Sequence, residues 1–382
     1  MIDVADVVRQ FGPAYLDRHG ASMLPSHRRA LADIVACRTE ALGGHLWRCT
    51  ECSAEVFSYH GCRNRSCPKC HTDQTRQWLE ARTAELLPVP YFHVVVTIPE
   101  ELRDVMRRHQ QDGYGLLMGA AATAIIELAR DPRYLGGTVG VMAVLHTWTQ
   151  RLDYHPHVHC LVTGGGVTVS EDGDHWRPTE RPKFLVPVKA LGKLVRGKVR
   201  AALAGKLPGI VIPAEVWRQP WVVHGTPWAE GERGVLDYLA RYVFRTAITT
   251  SRIIAIDQQT VTFRYKKRDD GAGDQSRTCR LTGEEFLRRF CQHVLPLGFH
   301  KVRYYGLWHP SKRDLAGRVR QRLLLERKTP LPAEPILTLV APLDHQPKPP
   351  RVCPHCRQPT LVLVGRLTPT RYRQAPPAMP PP

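Results

Sequence analysis

The sequence predicts an α+β protein in which a small cysteine-rich domain precedes a larger domain of helices and antiparallel strands. Six of the eleven cysteines fall between residues 37 and 71. Beyond them, helical and strand-like stretches follow one another, and short polar connections between consecutive strands favour antiparallel pairing. A length of 382 residues fits two or three domains. We expect these domains to span residues 1–88, 89–327 and 328–382.

The first domain is predicted to bind zinc. Residues 1–36 read as an amphipathic helical region that Pro25 divides into two pieces. Two Cys-x-x-Cys motifs follow with fourteen residues between them, close to the spacing of zinc ribbons. Four thiolates on two tight turns supply the tetrahedral set of a closed, structural Zn²⁺ site. The predicted ligands are Cys49, Cys52, Cys67 and Cys70.

Four more potential ligands in this region either form a second zinc site or simply pack. They are Cys37, His45, Cys62 and His71. Arg63 and Arg65 lie among the ligands and would give the module a basic, DNA-facing surface.

The composition indicates a nucleic-acid partner. The 54 Lys and Arg residues exceed the 35 Asp and Glu residues, and a formal charge of +19 is typical of nucleic-acid-binding proteins. The sequence shows neither an apolar run long enough for a membrane span nor the apolar core of a signal peptide. We therefore expect a cytoplasmic, nucleoid-associated protein whose cysteines bind metal rather than form disulfides.

The second domain is predicted to begin with a strand, a helix and another strand. Residues 91–99 read as a buried strand, and residues 101–130 read as a helix that Gly113 and Gly115 interrupt. Residues 139–150 read as the next strand.

Two histidines on the following strand are candidate metal ligands. Because proline belongs at strand starts, this strand is expected to begin after Pro156, with His157 and His159 on one face about 6–7 Å apart. If the two strands form a hairpin, Gln150 lies opposite His157. Two imidazoles and an amide oxygen would leave open positions on a catalytic divalent ion, whereas the alternative is a pair of half-exposed strand histidines.

The segments that follow complete an α+β domain. Residues 167–176 read as a small hairpin, residues 187–206 as a basic helix, and residues 252–257, 260–266 and 277–281 as antiparallel strands. Thr282 and Glu285 form a capping box for a helix to about residue 294. A strand at 300–306 and a basic helix at 311–327 complete the folded part, and a proline-rich, extended tail is expected to follow. The tail contains Cys353-Pro-His-Cys356, which either completes a zinc site with distant ligands or has no role.

A helix over residues 234–249 carries two tyrosines one turn apart. Tyr238 and Tyr242 lie opposite its apolar stripe and share their face with Arg241 and Arg245. A tyrosine that attacks a DNA phosphate forms a covalent link that conserves the bond energy for rejoining without ATP. Neighbouring arginines favour the phenolate and neutralise the phosphate. The sequence has no Walker-type phosphate loop, so no NTPase or helicase is indicated.

These motifs resemble those of the HUH single-strand endonucleases. His157-Val158-His159 matches their His-hydrophobe-His motif, and Tyr238 and Tyr242 match their paired tyrosines. The sequence is most similar to the rolling-circle insertion-sequence transposases that carry an N-terminal zinc-binding domain. The similarity extends over roughly residues 15–325.

The resemblance implies a five-stranded antiparallel sheet with the histidines on a central strand, facing the tyrosine helix. It implies a Mg²⁺- or Mn²⁺-dependent nick in single-stranded DNA through a 5′-phosphotyrosine, and a structural Zn²⁺ in the first domain. Gln150 stands at the position of the third metal ligand, where glutamate is commoner, and His146 and His155 are the alternatives. The implied partners are the single-stranded ends of a mobile element, target DNA and host replication proteins. Lys266 belongs to a further matching stretch, residues 261–266, and is a candidate DNA contact.

Two other functions fit parts of this pattern. A rolling-circle replication initiator would share the catalytic set but act on a different DNA. A non-catalytic zinc-ribbon regulator would need the cysteines and the charge but not the tyrosine face.

Overall fold

The computed structural model describes residues 2–70, 86–181, 183–230, 235, 242–243, 246–269, 273–326 and 351–370. The chain separates into two compact units. Unit 1 comprises residues 3–71 and 328–382, and unit 2 comprises residues 72–327. No helix in the described ranges is long and apolar enough to cross a membrane.

Helices and strands are both abundant, as the predicted α+β class requires. The described α-helices are α1 (Val4–His19), α2 (Pro25–Ala36), α3 (Arg103–Arg108), α4 (Gln110–Arg130), α5 (Val188–Lys206), α6 (Gly283–Gln292) and α7 (Arg313–Glu326). The described strands are β1 (Gly44–Cys49), β2 (Glu55–Tyr59), β3 (Pro90–Thr97), β4 (Gly140–Trp148), β5 (Tyr154–Thr163), β6 (Gly165–Ser170), β7 (Gly173–Pro178), β8 (Val223–Glu230), β9 (Ile253–Ile256), β10 (Thr260–Asp269), β11 (Gly273–Thr282), β12 (Val302–Gly306) and β13 (Leu361–Leu367).

Unit 1 contains two helices and a small antiparallel sheet. A capping box starts α1, because the Asp3 carboxylate accepts backbone N–H bonds from Ala5 and Asp6 while the Asp6 carboxylate accepts the Asp3 N–H. Pro25 occupies the first turn of α2, where its missing N–H costs nothing, so the predicted division of residues 1–36 is confirmed. The sheet has the order β13-β1-β2.

The position of β13 corrects the prediction of an extended C-terminal tail. β13 pairs antiparallel with β1 over six residue pairs, from Gly44 opposite Leu367 to Cys49 opposite Leu361. Strand pairing satisfies backbone groups that an extended tail would leave to water. Residues 351–370 are therefore a folded part of unit 1, although more than 300 residues separate β2 from β13.

Unit 2 is built on a five-stranded antiparallel sheet with the order β12-β4-β5-β3-β8. Strand alternation sends Val158, Cys160 and Val162 of β5 into a core formed with α4 and α5. Leu161 points to the opposite face and packs in a second apolar cluster that includes Val235 and Val243. The predicted five-stranded sheet is confirmed, and β5 is its central strand.

Two local predictions in unit 2 are wrong. The helical break falls at His109, between α3 and α4, while Gly113 and Gly115 lie inside α4. A Cβ on Gly113 would come within 2.7 Å of the Met106 sulfur, so this glycine lets α3 pack against α4. Strand β5 begins at Tyr154 rather than after Pro156. Pro156 is tolerated because regular pairing is absent at its position on both sides of β5. The pairing of β5 with β3 ends at His157, and its pairing with β4 shifts register between His146 and Trp148.

The later elements that the sequence predicted lie close to their expected positions, whereas β8, an edge strand of the five-stranded sheet, was not predicted. β6 and β7 form the small hairpin, and β9, β10 and β11 form an antiparallel sheet with the order β11-β10-β9. The Thr282 side chain accepts the Glu285 N–H at the start of α6, as the capping box requires.

Candidate active site and metal centres

Three histidines converge on the sheet face opposite the helical core. His146 comes from β4, and His157 and His159 come from β5. Their potential ligand nitrogens all lie within 4.8 Å of one another. Because Val158 and Cys160 fill the other face, the two-residue period of the strand fixes the orientation of the β5 histidines.

The register of β4 and β5 corrects the predicted place of Gln150. His146, not Gln150, lies directly opposite His157. The strands separate earlier than predicted, because Thr149 closes the turn by bonding Asp153 through both its backbone and its hydroxyl group. Gln150 lies in this turn, and its carbonyl accepts a hydrogen bond from Arg252. The pairing that suggested Gln150 as the third ligand is therefore wrong.

Hydrogen bonds to backbone carbonyls fix the tautomers of two cluster histidines. A carbonyl oxygen can only accept, so the ring nitrogen bonded to it carries the proton. His157 donates from Nδ1 to the His155 carbonyl over 2.7 Å, so its coordinating atom would be Nε2. His146 donates from Nε2 to the Tyr242 carbonyl over 2.6 Å, so its coordinating atom would be Nδ1. Such outer bonds orient metal-binding imidazoles.

Desolvation keeps His157 neutral. It lowers the pKa of the imidazole to about 4, although the bond to His155 works in the opposite direction. An uncharged ring at neutral pH retains the lone pair that a metal ligand needs.

His93 belongs to the site, and the sequence analysis did not identify it. It lies on β3, and its Nε2 is 2.9 Å from Nδ1 of His159, with both rings buried and stacked. This contact can orient His159 to coordinate through Nε2. The available signal was a histidine within the strand that was predicted to be buried (residues 91–99).

Tyr242 lies beside the histidines, where Trp148 also stacks on His146. The Tyr242 ring centroid lies 4.3 Å from that of His159, 4.9 Å from His93 and 6.0 Å from Trp228. Val243, the next residue, is buried in the second apolar cluster. The predicted partners Tyr238, Arg241 and Arg245 lie outside the described residues. His155, an alternative ligand, lies outside the described cluster, and its Nδ1 accepts a bond from Arg103.

The cysteines of unit 1 form two clusters, and this corrects the predicted zinc ligands. The predicted set divides, because Cys67 and Cys70 lie in one cluster and Cys49 and Cys52 in the other. The first cluster contains Cys37, Cys62, Cys67 and Cys70. The second contains Cys49, Cys52, Cys353 and Cys356. Of the other candidate ligands, His45 packs edge-on against His60, and His71 lies outside the described residues.

The first cluster fits a tetrahedral zinc ion. Cys70 Sγ lies 3.4 Å from Cys37 Sγ and 3.6 Å from Cys62 Sγ. Thiolates bound to one zinc at about 2.3 Å would be about 3.8 Å apart, close to these distances. Four cysteines leave no open coordination position, so this site is structural. It supports the predicted structural Zn²⁺ of the first domain.

The predicted DNA contacts in the described ranges differ in exposure. Arg63 and Lys266 are exposed, whereas Arg65 is half-buried and burial lowers the pKa of its guanidinium group. Their contacts with DNA remain predictions.

Comparison with known proteins identifies the family of both units. Residues 7–98 match a family model described as "Transposase zinc-binding domain", and residues 140–315 match one described as "Putative transposase". The "Putative transposase y4qJ" of Sinorhizobium fredii (strain NBRC 101917 / NGR234) is 37% identical over 387 residues, which cover 95% of this chain and 94% of that protein.

A second relative extends the comparison. The "Transposase for insertion sequence element IS801" of Pseudomonas savastanoi pv. phaseolicola is 28% identical over 293 residues, which cover 72% of this chain and 68% of that protein. No solved structure matches the chain. The match to the zinc-binding domain (residues 7–98) includes the first cysteine cluster. The match to the "Putative transposase" model (residues 140–315) includes the three histidines and Tyr242. The chain belongs to the IS91 family of insertion-sequence transposases, which carry an N-terminal zinc-binding domain.

Proposed function

We propose that this transposase nicks and rejoins single-stranded DNA at the ends of its mobile element through a 5′-phosphotyrosine. The observation that carries the proposal is the position of Tyr242, whose ring lies 4.3 Å from that of His159 in the histidine cluster. A nucleophile beside a potential metal site is the arrangement that phosphodiester cleavage needs.

The cluster histidines are the proposed ligands of a catalytic divalent ion, with His146 replacing Gln150 as the third. Each of the three offers a ring nitrogen within 4.8 Å of those of the others, and His157 is neutral at pH 7. Nitrogen ligands suit Mn²⁺ better than Mg²⁺, which prefers oxygen. The ion would polarise the scissile phosphate and fix its orientation.

The proposed step transfers a phosphoryl group from the DNA to tyrosine. The Tyr242 oxygen forms a bond to phosphorus, and the bond between phosphorus and the 3′-oxygen of the preceding nucleotide breaks. The phenol proton leaves for solvent, and the departing 3′-oxygen takes up a proton. Attack by a free 3′-hydroxyl reverses the step and rejoins DNA without ATP.

The phenol needs assistance, because its unperturbed pKa of about 10 leaves roughly one molecule in a thousand ionised at neutral pH. This gap corresponds to about 4 kcal/mol. Arg241 and Arg245 are proposed to supply part of it by stabilising the phenolate and the phosphate. Tyr238 is proposed as the second nucleophile, which attacks at the second DNA end while Tyr242 holds the first.

The proposed partners follow from this chemistry. They are single-stranded element ends, target DNA and host replication proteins, in a cytoplasmic, nucleoid-associated setting. A replication initiator would use the same residues on a different DNA, but family membership favours transposition.

Adduct mapping tests the proposal. Purified protein is incubated with labelled single-stranded element ends and Mn²⁺, and the adduct is mapped by peptide sequencing. Single Tyr238→Phe and Tyr242→Phe variants should retain some nicking but not complete transposition, and the double variant should form no adduct. Tyr134→Phe is the matched control, because Tyr134 lies outside the site and contacts Arg133. An adduct that survives in the double variant, or that maps to another residue, would contradict the proposal.

A further inference from the structure

The second cysteine cluster joins residues that are far apart in the sequence. Cys49 is the last residue of β1 and Cys52 follows it, whereas Cys353 and Cys356 precede β13. The zinc-domain match covers residues 7–98 and therefore does not include the C-terminal pair. Both pairs belong to unit 1.

The sulfur positions fit one tetrahedral metal ion. Cys49 Sγ lies 3.5 Å from Cys356 Sγ, and Cys52 Sγ lies 3.8 Å from Cys353 Sγ. All four sulfurs are within 4.8 Å of one another. A disulfide needs sulfurs about 2.05 Å apart, and these cysteines are free. Zinc–thiolate bonds of about 2.3 Å give the observed sulfur spacing.

The two Cys-x-x-Cys turns have the same backbone conformation. The N–H of Ser53 donates to the Cys49 carbonyl over 3.0 Å, and the N–H of Arg357 donates to the Cys353 carbonyl over 2.8 Å. Ser53 and Arg357 both adopt the left-handed region, with φ values of 58° and 59°. Each turn is closed by a second bond, from Cys49 N–H to Ala54 and from Cys353 N–H to the Gln358 carbonyl. Left-handed backbone is costly for a residue other than glycine, so Ser53 and Arg357 accept the same local cost to close the two turns in the same way.

Surrounding hydrogen bonds hold the two turns together. The Thr360 hydroxyl lies 3.0 Å from Cys49 Sγ, and the Thr360 carbonyl accepts the Thr50 N–H over 3.1 Å. The Cys52 N–H points to Cys49 Sγ over 3.5 Å. Such donors stabilise negatively charged thiolates around a metal.

We propose that these two turns bind a second structural zinc ion, which fastens the C-terminal segment to the N-terminal part of unit 1. The ligands are Cys49, Cys52, Cys353 and Cys356. The site is closed, because four thiolates complete the tetrahedron, and its role is to hold β13 on β1.

Zinc content of the full chain is the first test. Elemental analysis should find two zinc ions per wild-type chain and one in Cys353→Ser/Cys356→Ser. Cys49→Ser/Cys52→Ser should also retain one, and the quadruple variant should lose no more than either pair, because both pairs share one ion. His355→Ala is the matched control: His355 is exposed within the same turn and should leave both ions bound. Two ions in Cys353→Ser/Cys356→Ser, or none, would overturn the separate site.

Alkylation of the native protein identifies the partners directly. In Cys49→Ser/Cys52→Ser, Cys353 and Cys356 should react rapidly with N-ethylmaleimide, while Cys62 in the first cluster remains protected. Peptide mapping reads each cysteine separately, so the result does not depend on DNA binding or activity. Continued protection of Cys353 and Cys356 in this variant would refute the shared site.

Discussion

Replacing His93 by phenylalanine tests how the sheet positions the proposed metal ligands. The substitution keeps an aromatic ring against His159, Trp228 and Tyr242 but removes the nitrogen that lies 2.9 Å from His159 Nδ1. His93 is a positioning residue, because its nitrogen contacts His159 rather than the reacting atoms. We expect weaker metal binding, with the fold of unit 2 preserved.

The size of the effect follows from burial. Both rings are more than nine-tenths buried, so water replaces the lost partner poorly. Loss of a buried hydrogen bond costs about 1–3 kcal/mol, which is a roughly 5- to 150-fold weaker metal affinity. Mutations of residues that orient metal ligands typically cost about 10- to 100-fold, in the same range.

The assay is nicking of single-stranded DNA over a range of Mn²⁺ concentrations, with Mn²⁺ binding measured separately by calorimetry. His93→Phe should raise the required Mn²⁺ concentration by this factor, and saturating Mn²⁺ should restore most of the rate. His175→Phe is the control, because His175 is exposed on β7 in the small hairpin, outside the histidine cluster. An unchanged Mn²⁺ requirement in His93→Phe would refute the reasoning.

Three further predictions concern the ligands, unit 1 and acid stability. His146→Ala should abolish nicking while single-strand binding persists, whereas Gln150→Ala should nick nearly normally; equal defects in the nicking assay would contradict the register argument. Strong chelation should unfold unit 1 and leave unit 2 folded, because structural zinc supplies folding energy; hydrogen exchange that shows both units unchanged would oppose this. Hydrogen bonds from Arg288, and then from Arg289, hold the pKa of Glu285 near 2, so its stabilisation is present above about pH 4.5 and is lost as the pH falls to 2. Between pH 5 and pH 2, the free energy of unfolding of the wild type should therefore fall by about 1–2 kcal/mol more than that of Glu285→Gln, a value that allows for screening by solvent. Denaturant unfolding measures this difference, and parallel pH profiles of the two proteins would contradict the prediction.

The sequence predicted well what depends on local periodicity. The two-residue period placed His157 and His159 on one face, and the capping pattern located the start of α6. It failed at Gln150, because the hairpin register depends on how tightly Thr149 and Asp153 close the turn. Strand propensity alone does not determine that closure.

Contacts between residues far apart in the sequence could not be predicted from local patterns. The spacing of Cys52 and Cys67 resembles a zinc ribbon, but their two Cys-x-x-Cys pairs lie in different clusters, each completed by other cysteines. The Cys353/Cys356 pair has no second cysteine pair nearby in the sequence, and the pairing of β13 with β1 accompanies the approach of Cys353 to Cys52. His93 was missed for the related reason that its polar contact comes from the neighbouring strand.

The pairing of β13 with β1 has a consequence for synthesis. Chains leave the ribosome N-terminus first at about 5–20 residues per second. Because β13 lies some 300 residues after β1, it is synthesised roughly 15–60 s later. Unit 2 is translated completely within that interval. A chain whose synthesis ends between residues 327 and 351 would therefore contain the histidine cluster and Tyr242 but not a complete unit 1. Such shortened products would keep the proposed active-site residues but lack the third strand of the N-terminal sheet.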